Sequence, residues 1–220
     1  YLFTDQPWVA VEPVLCPWQA PDGLGVVWTT AWLLPDRRPL PADVVAFLDA
    51  GAPPAYIGFG SMRVDPQTVH ATVGAARDRG LRVLLHRGRS TLPPLTDDGD
   101  DVLVIGDVNQ QALFPRVAVA VHHGGAGTTT AAARAGVPQL VLPQAADQPD
   151  WAARIAELEI GTALSAPTDE SLAAAFDTAL SPRSRARAGA VAATMGDDGA
   201  DTAAAMLLAV GDETEPVDRR

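Results

Sequence analysis

An α/β fold built on a doubly wound, mostly parallel sheet of the Rossmann-like kind is what this sequence predicts, from three observations. After Ala55, short apolar runs alternate with stretches of helical character. That is the pattern of strand–helix–strand units whose parallel strands need crossovers. The runs at 102–105 and 117–121 are apolar without a break, as expected of strands covered on both faces. A Gly-rich segment joins the second of these runs directly to a helix, a junction at which such folds gather anions.

The elements follow in order. Residues 1–54 are rich in Pro, hold four of the five Trp and show little periodicity. Within them, 33–41 reads as a stiff, extended linker, and a short helix over 42–50 stops at Gly51. A first strand over 56–60 ends in Gly. Asp65-Pro66 then supplies an N-cap and a first-turn proline for a helix reaching about residue 79. Strands are expected at 81–85, 102–105, 117–121, 139–142 and, weakly, 162–164. Helices are expected at 127–134, 151–158, 169–180, 182–195 and 200–210. Residues 211–220 read as a frayed polar tail. By composition the chain divides into 1–54, a domain over 55–198, and a C-terminal helix and tail over 199–220.

Composition removes several functions. Sixteen basic residues against twenty-seven acidic ones leave a net charge of −11. With no basic run, nucleic acid and anionic membrane are poor partners. All the basic residues are Arg, so a Walker-A lysine and a Schiff-base lysine are both excluded. The single cysteine, Cys16, excludes an internal disulfide and a multi-cysteine zinc site. No apolar run approaches the roughly 18 residues of a membrane span. The chain opens without a basic n-region, so no signal peptide is expected and the cytoplasm is the default compartment. The first residue is not Met, so the chain reads as a fragment or a processed product.

The densest chemistry is His122-His123-Gly124-Gly125-Ala126-Gly127-Thr128-Thr129-Thr130. Glycines let backbone N–H groups approach an anion, and the helix that follows offers its positive end. Thr hydroxyls and His123 add donors, so the segment suits a diphosphate. The bland alternative is a tight strand–helix turn whose histidines cap or pack. Adjacent side chains on a strand point to opposite faces, so His122 and His123 are poorly placed to share a metal. Ser61, after Gly58-Phe59-Gly60, could donate to the same phosphates; the alternative is a plain glycine-permitted strand end. Asp147-Gln148 pairs an acceptor with an amide, which suits sugar hydroxyls; the alternative is an ordinary helix N-cap. Asp97-Asp98-Gly99-Asp100-Asp101 reads as a solvated turn rather than a divalent-ion site.

The segments HHGGAGTTTAAARAGVPQLVLPQAADQPDWAARI, YIGFGSM and GDVNQQALF together resemble the C-terminal half of family 1 glycosyltransferases of the GT-B fold. The opening FTDQPWVAVEPVLCPW and the linker WLLPDRRPLP are most similar to actinobacterial enzymes of glycopeptide-antibiotic biosynthesis, the vancomycin, chloroeremomycin and teicoplanin type. The resemblance implies two facing Rossmann-like domains. The N-terminal one binds the acceptor and supplies the catalytic base, so no catalytic residue is expected in this chain. Residues 55–198 then bind the donor. The family's donor contacts fall on Ser61, His123, Gly124, Gly125, Gly127, Thr128 and Thr129 for the diphosphate. They fall on Asp147 and Gln148 for the sugar hydroxyls, and on the segment around Val108 for the base. Two positions depart from plant-type relatives: 107–110 carries no tryptophan, and Ala131 stands where those relatives have a glutamate. Uridine and thymidine both stay open.

The expected activity is inverting, metal-independent transfer of a hexose to a hydroxyl of a natural product, with UDP-glucose or UDP-N-acetylglucosamine favoured and a glycopeptide aglycone as acceptor. No cofactor is expected beyond the nucleotide-sugar donor. The expected partner is an N-terminal acceptor domain or polypeptide, and stable membrane insertion is not expected. A nucleotide-sugar 2-epimerase on the same architecture and a non-catalytic nucleotide-sugar-binding module are the alternatives.

Overall fold

The computed structural model describes residues 6–17, 19–88 and 99–212. In chain order the first elements are β1 (Trp8–Ala10), β2 (Val27–Thr29), α1 (Ala42–Asp49), β3 (Ala55–Gly58), α2 (Pro66–Arg77), β4 (Val83–His86) and β5 (Val102–Ile105). Then come α3 (Gln110–Leu113), β6 (Val119–His122), α4 (Ala126–Arg134), β7 (Gln139–Val141), α5 (Gln148–Glu157) and β8 (Gly161–Ala163). The chain closes on α6 (Asp169–Ala179), α7 (Pro182–Ala192) and α8 (Gly199–Asp212). It divides into two compact units, 36–194 and 1–35 with 195–220.

The larger unit holds a six-stranded, wholly parallel sheet of order β5-β4-β3-β6-β7-β8. The expected doubly wound α/β fold is therefore present. The chain builds outward from β3 to β5 and then returns to the other side of β3 as β6. The order thus reverses between β3 and β6, and ligands of such sheets bind beyond the carboxyl ends of the strands at that switch.

Consecutive strand residues point to opposite faces, and each central strand splits its side chains between two cores. Ile57, Leu85, Val121 and Leu140 pack with Val73 and Ala76 of α2 and Leu172 and Phe176 of α6. Tyr56, Leu84 and Ala120 pack with Val44 and Leu48 of α1, Leu113 of α3 and Ala132 of α4. Burial of each large side chain stabilises by about 1.5–3 kcal/mol, which is why these short strands hold together without alternation in their sequence.

Local chemistry sets the helix starts. Asp65 Oδ1 accepts from the Gln67 N–H at 2.9 Å, with Pro66 at the first position of α2. Thr168 and Ser171 form a reciprocal capping box on α6. Ser181 Oγ accepts from the Ser184 N–H at 3.1 Å ahead of α7.

The structure alters one reading of the sequence and adds to two others. Residues 102–105 do not form a strand covered on both faces: among the described residues β5 is the sheet's edge, and Val104 is 38% exposed. An unbroken apolar run cannot distinguish an edge from a centre. The short helix α3 was not expected; Asn109 caps it, its Oδ1 accepting from the Ala112 N–H at 3.0 Å. The linker, read as stiff and extended, is also anchored at its middle. Buried Asn109 donates through Nδ2 to the Asp36 and Arg38 carbonyls at 2.9 and 2.8 Å, and Arg38 pairs with Asp107.

In the smaller unit β1 and β2 pair in parallel, Trp8 opposite Val27. Trp32 Nε1 donates to Thr29 Oγ1 at 2.7 Å, and its ring meets Trp8 edge-on, centroids 6.2 Å apart. Gly199 of α8 lies tight against Thr30, where an added Cβ would sit 2.3 Å from the Thr30 carbonyl oxygen. These two strands also escaped the sequence reading, being three residues each in a proline-rich stretch.

Candidate functional site at the switch point

At the carboxyl ends of β3 and β6 the sequence places Gly60-Ser61 and His122 to Thr128. The two adjacent histidines separate as strand geometry requires. His122 is fully buried beneath the loop. Its Nε2 lies 2.8 Å from Gln139 Oε1, and its Nδ1 accepts from the Gly124 N–H at 3.0 Å. Those partners assign the proton to Nε2, since Nδ1 must act as acceptor. Burial pushes this imidazole down to about 4, so it stays neutral. The sequence left its role open; the geometry makes it the post that bends the chain into the glycine turn.

His123 points the other way, toward the rim. An added Cβ on Gly60 would lie 3.1 Å from its Cε1, and one on Gly125 would lie 2.6 Å from its Nε2. The ring is thus held between two glycines, and its Nδ1 is buried without a hydrogen-bond partner. Burial lowers its pKa from the ordinary value, while the Asp147 carboxylate acts in the opposite direction. Gly60 has φ +57°, a left-handed backbone that favours glycine.

Gly125 is the N-cap of α4 and contributes no side-chain cap. The first intrahelical bond is Thr129 N–H to the Gly125 carbonyl at 3.0 Å. The N–H groups of Ala126, Gly127 and Thr128 therefore lack a carbonyl within the helix and can face a ligand together with the helix dipole. Ala126 and Gly127 are exposed and Thr128 is half-buried. Thr129 is buried instead, its hydroxyl donating back to the Gly125 carbonyl at 3.0 Å. Ser61 is exposed in the turn after β3.

The third part comes from the start of α5. Gly124, at φ +89°, leaves room for it: an added Cβ would meet Val141 Cγ1 at 2.9 Å and the Gln148 carbonyl at 3.2 Å. Gln148 is buried, and its Oε1 accepts from the Gln144 and Ala145 N–H groups at 2.8 and 3.1 Å. Its amide oxygen thus shapes the 144–147 loop, leaving the amide NH2 as the group to offer a ligand. Ala146 sits at φ 55°, a conformation that costs a residue with a Cβ of order 1 kcal/mol. Asp147 occupies the N-cap position but makes no capping bond; its Oδ2 accepts from Trp151 Nε1 at 2.8 Å. The sequence had no signal for that indole contact beyond the i,i+4 spacing.

Val108 is buried among the residues packed by α1, α3 and α4. It lies on the β4–β5 side of the switch, in the turn before α3, apart from the His123 cluster. In the acidic turn, Asp97 and Asp98 lie outside the described residues, and Asp101 pairs with Arg77 at 2.7 Å. Among the described residues no three His, Cys, Asp or Glu side chains come together as a metal site. No helix there is long and apolar enough to cross a membrane.

Comparison with known proteins fits this architecture. Residues 74–210 match the family described as erythromycin biosynthesis protein CIII-like, C-terminal domain. The chain is 55% identical over 208 residues to a vancomycin aglycone glucosyltransferase of Amycolatopsis orientalis, covering 94% of this chain and 51% of that protein. It is 51% identical over 197 residues to a dTDP-epi-vancosaminyltransferase of the same organism, covering 86% and 49%. Among solved structures, the spinosyn forosaminyltransferase SpnP superposes with a TM-score of 0.71 at 18% identity, over 94% of this chain and 55% of the other. That likeness concerns the fold, one of the GT-B type. The chain spans about half the length of the curated relatives it matches. By family match and by identity, it belongs to the EryCIII-like C-terminal domain family, whose named relatives here are glycosyltransferases of the glycopeptide-antibiotic type.

Proposed function

We propose that this chain is the donor-binding half of an inverting, metal-independent glycosyltransferase. It takes a nucleotide diphosphate hexose, UDP-glucose or UDP-N-acetylglucosamine, for transfer to a hydroxyl of a glycopeptide aglycone. The observation that carries the reading is the His123 cluster: a buried, unpartnered imidazole nitrogen beside the open N-terminus of α4, at the switch of a parallel sheet. There His123 and the first N–H groups of α4 meet the diphosphate. As the glycosidic bond breaks, charge develops on the leaving diphosphate, and these fixed dipoles stabilise it without reorganising. Asp147 accepts from sugar hydroxyls and the Gln148 amide donates to them. The base that deprotonates the acceptor is expected on an acceptor domain outside this chain.

Titrating UDP and UDP-glucose against two variants tests the assignment. His123→Ala weakens both ligands similarly, by roughly 1–3 kcal/mol for a lost charge-assisted bond. Asp147→Ala weakens UDP-glucose by a similar amount and leaves UDP nearly untouched. Equal loss of both ligands in Asp147→Ala would show that the carboxylate only shapes the loop.

A further inference from the structure

The described residues contain a second buried imidazole nitrogen with no hydrogen-bond partner, Nδ1 of His86. His86 closes β4 opposite Gly58, and Gly58 is opposite His122 on its other side. Residues in register on parallel strands leave the sheet on the same face, so His86 shares the face of Tyr56 and Leu84. The Tyr56 and His86 ring centroids are 6.3 Å apart. Gly58 makes room for both side chains: an added Cβ would lie 2.5 Å from Tyr56 Oη and 2.9 Å from His86 Cβ. Gln110 of α3 reaches the same spot, its Nε2 3.3 Å from Tyr56 Oη.

Gly88, at φ +57°, links this corner to the donor cluster. A Cβ there would lie 4.0 Å from His86 Nδ1 and 2.4 Å from the Gly60 carbonyl oxygen. Gly60 in turn abuts the His123 ring. The two orphan imidazoles therefore stand on opposite flanks of the Gly60 turn, His86 toward β5 and α3, His123 toward α4.

We propose that His86 is a further donor-ligand contact, its Nδ1 hydrogen-bonding the nucleoside part of the nucleotide while His123 takes the diphosphate. The inference rests on the donor-binding reading above. Three considerations select the nucleoside. With the diphosphate at β6 and the sugar beside β7 and α5, the nucleoside is left the β3–β4–β5 side of the switch. The Asp107 carboxylate acts electrostatically on His86, which disfavours a phosphate there and leaves hydroxyl and imide groups acceptable. Burial keeps the imidazole on the neutral side, and a neutral ring offers one donor and one acceptor, matching such groups.

Calorimetric titration with UDP and with inorganic pyrophosphate separates the two imidazoles. His86→Ala weakens UDP by about tenfold, the scale of one buried hydrogen bond, and leaves pyrophosphate binding intact. His86→Asn, which sets an amide near the Nδ1 position, restores most of the UDP affinity. His123→Ala weakens both ligands. Unchanged UDP affinity in His86→Ala, or equal loss of UDP and pyrophosphate, overturns the inference while leaving the donor-binding reading intact. If the unmodified chain takes up neither ligand, both fall. Should His86→Ala not fold, 15N-histidine spectra of the unmodified chain decide: the His86 Nδ1 resonance shifts with UDP and not with pyrophosphate. A resonance indifferent to UDP overturns the assignment.

Discussion

His122 and His123 are neighbours whose environments differ because the strand pleat sends one inward and one to the rim. The inner one has a consequence for stability. His122 is held neutral in the folded chain, with a pKa pushed from the ordinary 6.5 down to about 4. The unfolded chain binds that proton more readily, so folding loses stability as the pH falls from about 6.5 toward 4, by up to about 3 kcal/mol. Above pH 6.5 this contribution is flat. Urea melts at pH 7.5 and pH 5 should therefore differ. Replacing His122 with Gln, which cannot protonate, should lower stability at pH 7.5 yet shrink the difference between the two pH values. A difference of unchanged size in that variant would assign the acid sensitivity to other groups.

Among the elements, α4 shows how a helix start is shaped by what it must leave uncovered. Gly125 has φ −65°, a backbone any residue adopts, so only space calls for glycine here. Gly125→Ala would bring a methyl against His123 Nε2 and swing that ring aside. The flexible ring can move, so melting should change by less than about 1 kcal/mol, while UDP affinity should fall about as far as in His123→Ala. A variant that binds UDP normally would detach the ring's position from binding. The sequence made this element legible: an unbroken apolar strand, glycines, and Thr and Ala helix residues agree on one strand–turn–helix unit. Less was legible where one residue serves two elements. Asn109 both caps α3 and holds the linker backbone, and nothing in Asp107-Val108-Asn109-Gln110 announces the second task. The turn toward the interior of Thr129 depends on its phase along α4, which the Gly-rich segment obscures. The sequence marks His86 only by its place at the carboxyl end of a strand, where ligands of such sheets gather; its unpartnered nitrogen depends on Gly58 across the ladder and on the two glycine turns beside it.

For the whole molecule, a parallel sheet flanked by helices is what alternating strands and helices predict, and the share of its relatives that the chain spans shapes the prediction. If the acceptor's base resides outside this chain, the chain should bind UDP in a calorimeter yet form no glycoside in a product assay on the same sample. Glycoside formation by the chain alone would mean that the base lies within it. The proposed electrostatics need no metal, so excess EDTA should leave UDP affinity unchanged. A tenfold loss, about 1.4 kcal/mol, would point to a divalent ion.

The sheet's outer strand carries a further consequence. β5 reads Val102-Leu103-Val104-Ile105, pairs only with β4 among the described residues, and turns Val104 outward. A short, apolar strand with an unused row of amides is a template for another chain. In a chain kept concentrated for ligand titration, this is where self-association would begin, through backbone pairing rather than through the ligand site. Lysine at position 104 would charge that border and keep the chain dispersed. Light scattering on the two forms would register the difference, while the His123 cluster, three strands away across the sheet at β6, would be unaffected.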